Sequence, residues 1–297
     1  MNIEKIKYFI DLVECKNFTD TAKKNYVSQT TISQQIASLE KEFGVLLIDR
    51  KKIPVEPTQA GRLFYSEAIL LWKQYNQMKT KMMIYQQGCE QIISIEYAAS
   101  TDIQLLLEII PPFQKEHPNI KIQLNKVLLK DIAEYLKKGI YDMAITFDSE
   151  LYDSQNILTQ SLYQGNYCAM VSKTHPLYHA SFIHINELYE YPLVMLNPTV
   201  IGTSYYQMIQ RAIEEGYEPK IQRTVDDVET ELFYIVTENL IGFFPDNYQS
   251  SYIGQNVKLI PLKNSQHKFE IVAGFLKENT NDALHTFLKY MQNSFLQ

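Results

Sequence analysis

Between Ser28 and Arg50, Ile32, Ile36, Leu39 and Phe43 fall at i, i+4, i+7 and i+11, one apolar stripe of a 3.6-residue helix. The opposite face carries Gln29, Thr30, Thr31, Ser33 and Gln34, uncharged donors and acceptors of a length suited to base edges. An ordinary solvated helix face carries more charge. Upstream, Ile6, Phe9, Ile10 and Val13 give Ile3 to Cys15 a stripe of its own. Asn17 to Asp20 supplies turn and cap chemistry, and a short helix is expected from Thr21 to Asn25. Ser28 then caps the polar-faced helix and Gly44 ends it. The pattern predicts a helix-turn-helix. Val45 to Ile48 and Ile53 to Glu56 read as two strands around Asp49-Arg50-Lys51-Lys52, a wing with a basic tip.

From Thr58 to about Gln87 one long helix is predicted. Phe64, Ala68, Leu71, Tyr75, Met78, Met82 and Tyr85 alternate spacings of four and three, a heptad seam narrower than the stripe of a globular surface helix. The chain offers no second long heptad segment to pair with it, so the seam predicts homodimerisation. Beyond Gly88 strand and helix alternate. Strands at Ile92 to Ala98, Ile120 to Leu128 and Asp142 to Phe147 enclose helices at Asp102 to Gln114 and Lys130 to Lys138, a βαβαβ unit with a parallel sheet. Tyr167 to Val171 adds a strand. Strands at Pro192 to Leu196 and Ile221 to Val225, with helices at Ser204 to Glu215 and Asp227 to Thr237, make a second α/β lobe. A last strand, Phe269 to Phe275, and a helix, Asp282 to Phe295, close the chain.

Charge changes the picture once it is divided. The whole chain of 297 residues carries −6. Residues 1–90 hold 13 Lys and Arg against 10 Asp and Glu, whereas residues 91–297 hold 15 against 24. Only the N-terminal part is suited to approach a polyanion. No apolar run is long enough for a membrane-spanning helix, and the N-terminal segment lacks the apolar core of a signal peptide. The expected location is cytoplasmic. Cys15, Cys89 and Cys168 form no metal spacing and read as packing thiols. His175 and His179 stand four apart, but Pro176 between them argues against one helix presenting both to a metal. No GxGxxG, GxSxG or Walker loop is present.

The run Phe18, Ala22, Val27-Ser28-Gln29, Ser33, Ile36, Leu39-Glu40, Gly44, Leu47, Arg50, Thr58 and Ala60-Gly61 resembles the N-terminal domain of LysR-type transcriptional regulators. The remainder is similar to that family's effector domain at Pro111, Phe113, His117-Pro118, Gly139, Asp142 to Ile145, His175 to Leu177, Gly216-Tyr217, Pro219, Gly242 and Pro245. Thr21, Asn25, Thr30 and Pro57 depart from the usual residues. The resemblance implies a multidomain chain. Its parts are an N-terminal all-α winged helix-turn-helix over 1–58, a linker and dimerisation helix over 59–88, and a two-lobed, periplasmic-binding-protein-like α/β domain over 89–297. Lobe I takes 89–162 and 267–297; lobe II takes 163–266.

The function implied is sequence-specific DNA binding modulated by a small-molecule effector of unknown identity, with no enzyme activity, cofactor or metal. Gln29 and Gln34 suit adenine, and the methyls of Thr30 and Thr31 suit thymine. Ser28 and Ser33 suit phosphates at a helix N-terminus, and Arg50, Lys51 and Lys52 suit the backbone. A symmetric dimer implies a pseudo-palindromic site on double-stranded DNA. Tetramers and contact with RNA polymerase are further expectations, and a membrane is not a partner. Effector contacts are expected where strands end and helices begin: Ser100, Thr101, Thr146, Phe147, Thr199, Ile201, Gly202, Thr203 and Asp226. The rival reading is an α/β solute-binding protein, or an enzyme, with an accessory N-terminal helical domain.

Overall fold

The computed structural model describes residues 2–86, 88, 91–98, 100–152 and 154–295, and no side chains at 100–103, 294 or 295. It divides into two compact units, residues 1–88 and 89–297.

The first unit begins with three helices, α1 (Ile3–Cys15), α2 (Phe18–Lys24) and α3 (Gln29–Phe43). Asn2, Asn17 and Ser28 cap them, each accepting a backbone N–H of the first turn through its side-chain oxygen. Asn17 caps α2, which therefore opens at Phe18, three residues ahead of the expected start at Thr21. Gly44 ends α3 in the left-handed conformation, with φ of 70°, which glycine adopts without penalty. Ile32, Ile36 and Leu39 are fully buried against Phe9, Leu12 and Ala22. The wing is smaller than its apolar pattern suggests. β1 (Ile48–Asp49) and β2 (Glu56–Pro57) pair antiparallel over two residues each. Val45 and Leu46 are exposed loop instead, because the chain must first clear the end of α3.

The long helix α4 (Gln59–Gln86) follows. Gly61 is obligatory near its start, because a Cβ there would stand 1.9 Å from the Leu47 carbonyl oxygen. The first turns of α4 dock on α1, with Ala68 buried beside Ile6 and Ile10. Farther along, Leu71, Met78, Met82 and Tyr85 are exposed.

The second unit is mixed α/β with two lobes. In lobe I, β3 (Gln91–Tyr97), α5 (Ser100–Glu116), β4 (Ile120–Lys126), α6 (Ile132–Lys137) and β5 (Met143–Phe147) form the expected unit. β3 pairs parallel with β4 and β5. Phe113 of α5 meets Phe287 of the C-terminal helix edge-on at 4.7 Å between ring centres. The next strand, β6 (Ile157–Ser172), is far longer than expected. Its first half is solvated on one face, so its apolar signal is diluted there. The elements that follow are β7 (Ile183–His184), α7 (Ile185–Leu188), β8 (Leu193–Leu196), α8 (Pro198–Ile201), α9 (Thr203–Glu214), β9 (Ile221–Val225), α10 (Val228–Glu238), β10 (Gly242–Pro245), β11 (Val257–Lys263), β12 (Lys268–Leu276) and α11 (Asp282–Phe295).

β6 and β12 join the lobes. β12 runs antiparallel to both β5 and β6, and the distal half of β6 pairs antiparallel with β10 and β11. Alternation along that half of β6 builds two cores. Ala169 and Val171 face the cluster of Leu188, Leu193 and Ala212, whereas Met170 faces Leu232, Ile235 and Phe244.

Candidate DNA-reading head and effector cleft

At 100° per residue, the buried positions of α3 leave an outward arc over Thr30, Gln34, Ala37 and Lys41, all exposed. Gln29 is exposed at the first turn, where its carbonyl accepts from Thr19 Oγ1 at 3.4 Å. Ser28 and Thr31 are partly spent on the cap: Ser28 Oγ accepts from Thr31 N at 3.0 Å and lies 2.8 Å from Thr31 Oγ1. Ser33 is half-buried. Sequence reading missed Ala37 and Lys41, although their spacing of seven and eleven from Thr30 is the signal that finds them. It also missed Tyr26, 96% exposed in the turn before α3.

The wing's basic residues differ in how free they are. Arg50 Nη2 donates to Glu40 Oε2 at 2.9 Å, and its guanidinium lies over the Phe18 ring. Glu40 is buried and its other oxygen accepts from Leu47 N and Ile48 N at 2.9 and 3.1 Å. Arg50 is therefore tied into the turn that carries the wing. Lys52 pairs with Glu56 across the exposed loop. Lys51 has no ion pair among the described residues. Asn25, which departs from the usual residue, is held by hydrogen bonds. Its Nδ2 donates to Asp11 Oδ2 at 2.8 Å, its oxygen accepts from Lys7, and Lys24 bridges Asp11 at 2.7 Å. Burial raises the Asp11 carboxyl, but the hydrogen bonds from Lys24, Lys7 and Asn25 outweigh it and hold the group below the usual range.

In the second unit a cavity of about 430 Å³ opens between the lobes. Its apolar wall includes Phe147, Tyr167, Met195, Leu196, Phe244 and Tyr248. Of the expected contacts, Phe147, Ile201 and Asp226 line it. Ser100 and Thr101 open α5, but their side chains lie outside the described residues. The other four are elsewhere. Thr146 is fully buried inside the sheet, between β3 and β12, because β5 alternates its faces and Phe147 takes the cleft side. Thr199 is bound to Asn197, the cap of α8. Thr203 and Gly202 lie at the start of α9, a helix N-terminus that already holds an anion. Glu150 accepts there from Ser204 N and Ser204 Oγ at 2.9 Å each, and from Thr203 N at 3.3 Å. A Cβ on Gly202 would approach Glu150 Oε2 to 2.6 Å.

The head and the cleft correspond to two known domains. Residues 3–62 match the family described as bacterial regulatory helix-turn-helix protein, lysR family, and residues 87–296 match the LysR substrate binding domain. The chain belongs to the LysR family of transcriptional regulators. This LysR-type chain is 25% identical over 289 residues to the HTH-type transcriptional regulator AlsR of Bacillus subtilis, covering 97% of this chain and 94% of that protein. Full-length CbnR in complex with its target DNA superimposes with a TM-score of 0.70 at 20% identity, covering 99% of this chain and 100% of that one. The effector binding domain of QuiR in complex with shikimate gives 0.60 at 19% identity, covering 69% of this chain and 97% of that one. At those identities the two structures speak for the fold.

Sequence reasoning on this LysR-type chain also missed Glu231, buried on α10 and lining the cavity. No motif announces it. Its neighbours on α10 are apolar, and a helical carboxylate normally faces solvent. His175 is buried with Nδ1 accepting from Leu177 N at 3.1 Å, and it serves that turn. Burial pushes the Cys168 thiol up to about 11, so it stays protonated. No described helix is long and apolar enough to cross a membrane.

Proposed function

We propose that this chain binds double-stranded DNA sequence-specifically as a homodimer or tetramer, and that a small molecule held between its lobes alters that binding. The observation that carries the reading is α3 itself: its N-terminal half exposes the uncharged hydrogen-bonding side chains of Gln29, Thr30 and Gln34, over Ile32, Ile36 and Leu39, which are fully buried. Gln29, Thr30 and Gln34 read base edges, with Thr31 supporting the first turn. Ser28 and Ser33 donate to phosphates. Lys51 and Lys52 contact the backbone and Arg50 positions the wing. The exposed half of the α4 seam pairs with a second copy, so the site on DNA is pseudo-palindromic. The functional boundaries are 1–58, 59–88 and 89–297, with lobe I at 89–162 and 267–297 and lobe II at 163–266. The effector meets Phe147, Ile201 and Asp226, and Ser100 and Thr101 are further contacts. The protein works in the cytoplasm, catalyses no reaction and needs no cofactor.

The test is a gel-shift series on DNA from the chain's own promoter region. Gln29→Ala should weaken specific binding by about 1–3 kcal/mol and relax preference at one base pair. Retention of full sequence preference would remove Gln29 as a base reader.

A further inference from the structure

The cleft's charges favour a ligand opposite in sign to the one a helix N-terminus would take. Glu231 is 4% exposed, lines the cavity, and has no hydrogen-bond or ion-pair partner for its carboxyl among the described residues. Its Oε1 lies against Gly242, where an added Cβ would stand 3.2 Å away and would also press on Phe244 and Ile235. The glycine therefore leaves room for the carboxyl at the cavity wall. An isolated buried carboxyl is costly, and natural interiors retain few without a use. Burial alone drives its affinity for a proton well above the usual range.

Three further acids, Asp226, Asp227 and Glu229, stand at the rim, and Lys126 is the one base among the lining residues described. Asp227 is engaged as the cap of α10, accepting from Thr230 N at 2.7 Å. Asp226 and Glu229 are exposed and available to a ligand. Around these acids stand the rings of Phe147, Tyr167, Phe244 and Tyr248, whose faces attract cations. The anion-binding helix N-terminus nearby is filled by Glu150.

We propose that the cavity takes an organic cation, a protonated amine on an apolar body, with the ammonium on Glu231 and the body against the aromatic wall. This rests on the cleft being the effector site and specifies its ligand's charge. On binding, the Glu231 carboxylate accepts the N–H groups of the ammonium, and any proton the buried carboxyl carried passes to solvent.

The test is calorimetry on the full-length protein with three matched series: benzyl-, 2-phenylethyl- and 4-phenylbutylammonium, the corresponding carboxylates, and the corresponding alcohols. An ammonium compound should bind at least about tenfold tighter than its matched carboxylate and alcohol, the scale of one charge-assisted hydrogen bond. Glu231→Gln should lower that affinity about tenfold and leave the alcohol unaffected. Asp226→Asn with Glu229→Gln, both on exposed residues, should weaken it about twofold to fivefold at low salt. Met208→Trp, which fills the cavity from α9, should abolish binding. Tighter binding of a carboxylate that Met208→Trp blocks would overturn the cation while keeping the cleft. Ammonium binding untouched by Met208→Trp would overturn both. Failure of every ammonium compound to bind, or full affinity in Glu231→Gln, would overturn the cation.

Discussion

Removing the Glu40 carboxylate should cost the N-terminal unit more than any change on its reading face. Leu47 and Ile48 are 1% and 2% exposed, so their N–H groups have no water to turn to. Glu40 Oε1 satisfies both, and Oε2 holds Arg50. Glu40→Ala orphans two buried donors at about 2 kcal/mol each and frees Arg50, a loss of about 4 kcal/mol. That is a large share of the 5–15 kcal/mol that holds an ordinary domain together. Glu40→Gln keeps one oxygen for both N–H groups and loses only the ion pair, a loss of about 1–2 kcal/mol. Arg50→Met should cost about 1 kcal/mol, and the two changes should be non-additive because they remove the same pair. The chain's single tryptophan, Trp72, packs with Ile6, Ile10 and Ala68 in this unit, so its fluorescence in a urea titration of the full-length protein reports the unit directly. Glu40→Ala within about 0.5 kcal/mol of wild type would refute the reasoning, since ordinary surface changes fall in that range. Glu40→Gln as damaging as Glu40→Ala would show that charge, not the two backbone bonds, carries the turn. The same variants separate Arg50's roles. If it only positions the wing, Arg50→Met leaves the salt dependence of DNA binding unchanged, whereas loss of a phosphate contact lowers that slope by about 1.

Met78 and Met82 are 53% and 55% exposed on the α4 seam. Met78→Glu with Met82→Glu should reduce the mass in sedimentation velocity to that of a monomer without loss of helix, and an unchanged mass would place the dimer contact elsewhere. His267 is 1% exposed, 2.5 Å from the Tyr189 hydroxyl, and burial with nearby Arg211 pushes its imidazole down to about 4. The group is therefore neutral at pH 7, and its 3.9 Å approach to Glu215 is no ion pair there. An unfolded histidine titrates near 6.5, so the unfolded state binds the extra proton first as pH falls. Stability is full above about 6.5 and should decline towards pH 4 by about 3 kcal/mol in total. His267→Gln should flatten that part of the pH–stability curve, and an unchanged curve would assign the acid sensitivity to other groups.

What was legible in the sequence follows from where each signal is local. The bounds of α1 and α3 are encoded in side chains at their own ends, Ser28 and Gly44 among them, so reading them required no tertiary knowledge. The first half of β6 has no such signature. Its residues pair with β12, more than a hundred positions away in the chain, and it borrows its order from that partner. Arg50 and Lys51 look alike in sequence, and only the fold brings Glu40 under one of them. Glu231 is the extreme case. Its meaning depends on a cavity assembled from both lobes and on a glycine in a neighbouring strand.

The start of α9 shows how the same logic can mislead, and how to test it. Ser and Thr before a helix, with free N–H groups, are the usual signs of an anion site. Here the anion is part of the chain. Glu150 follows β5 in lobe I and docks on a helix of lobe II, so one carboxylate fills the site and ties the lobes together. Burial raises its proton affinity despite the bonds from Ser204, Thr203 and Ser149. Glu150→Ala should vacate the helix N-terminus and leave Ser204 N and Thr203 N without their acceptor, at about 1–2 kcal/mol. The vacancy should then bind inorganic sulfate. Sulfate at fixed ionic strength should raise the melting temperature of Glu150→Ala more than that of wild type, because a ligand stabilises only the state that binds it. Equal responses would mean that the helix end is open to solvent anions in both proteins and that Glu150 does not occupy it.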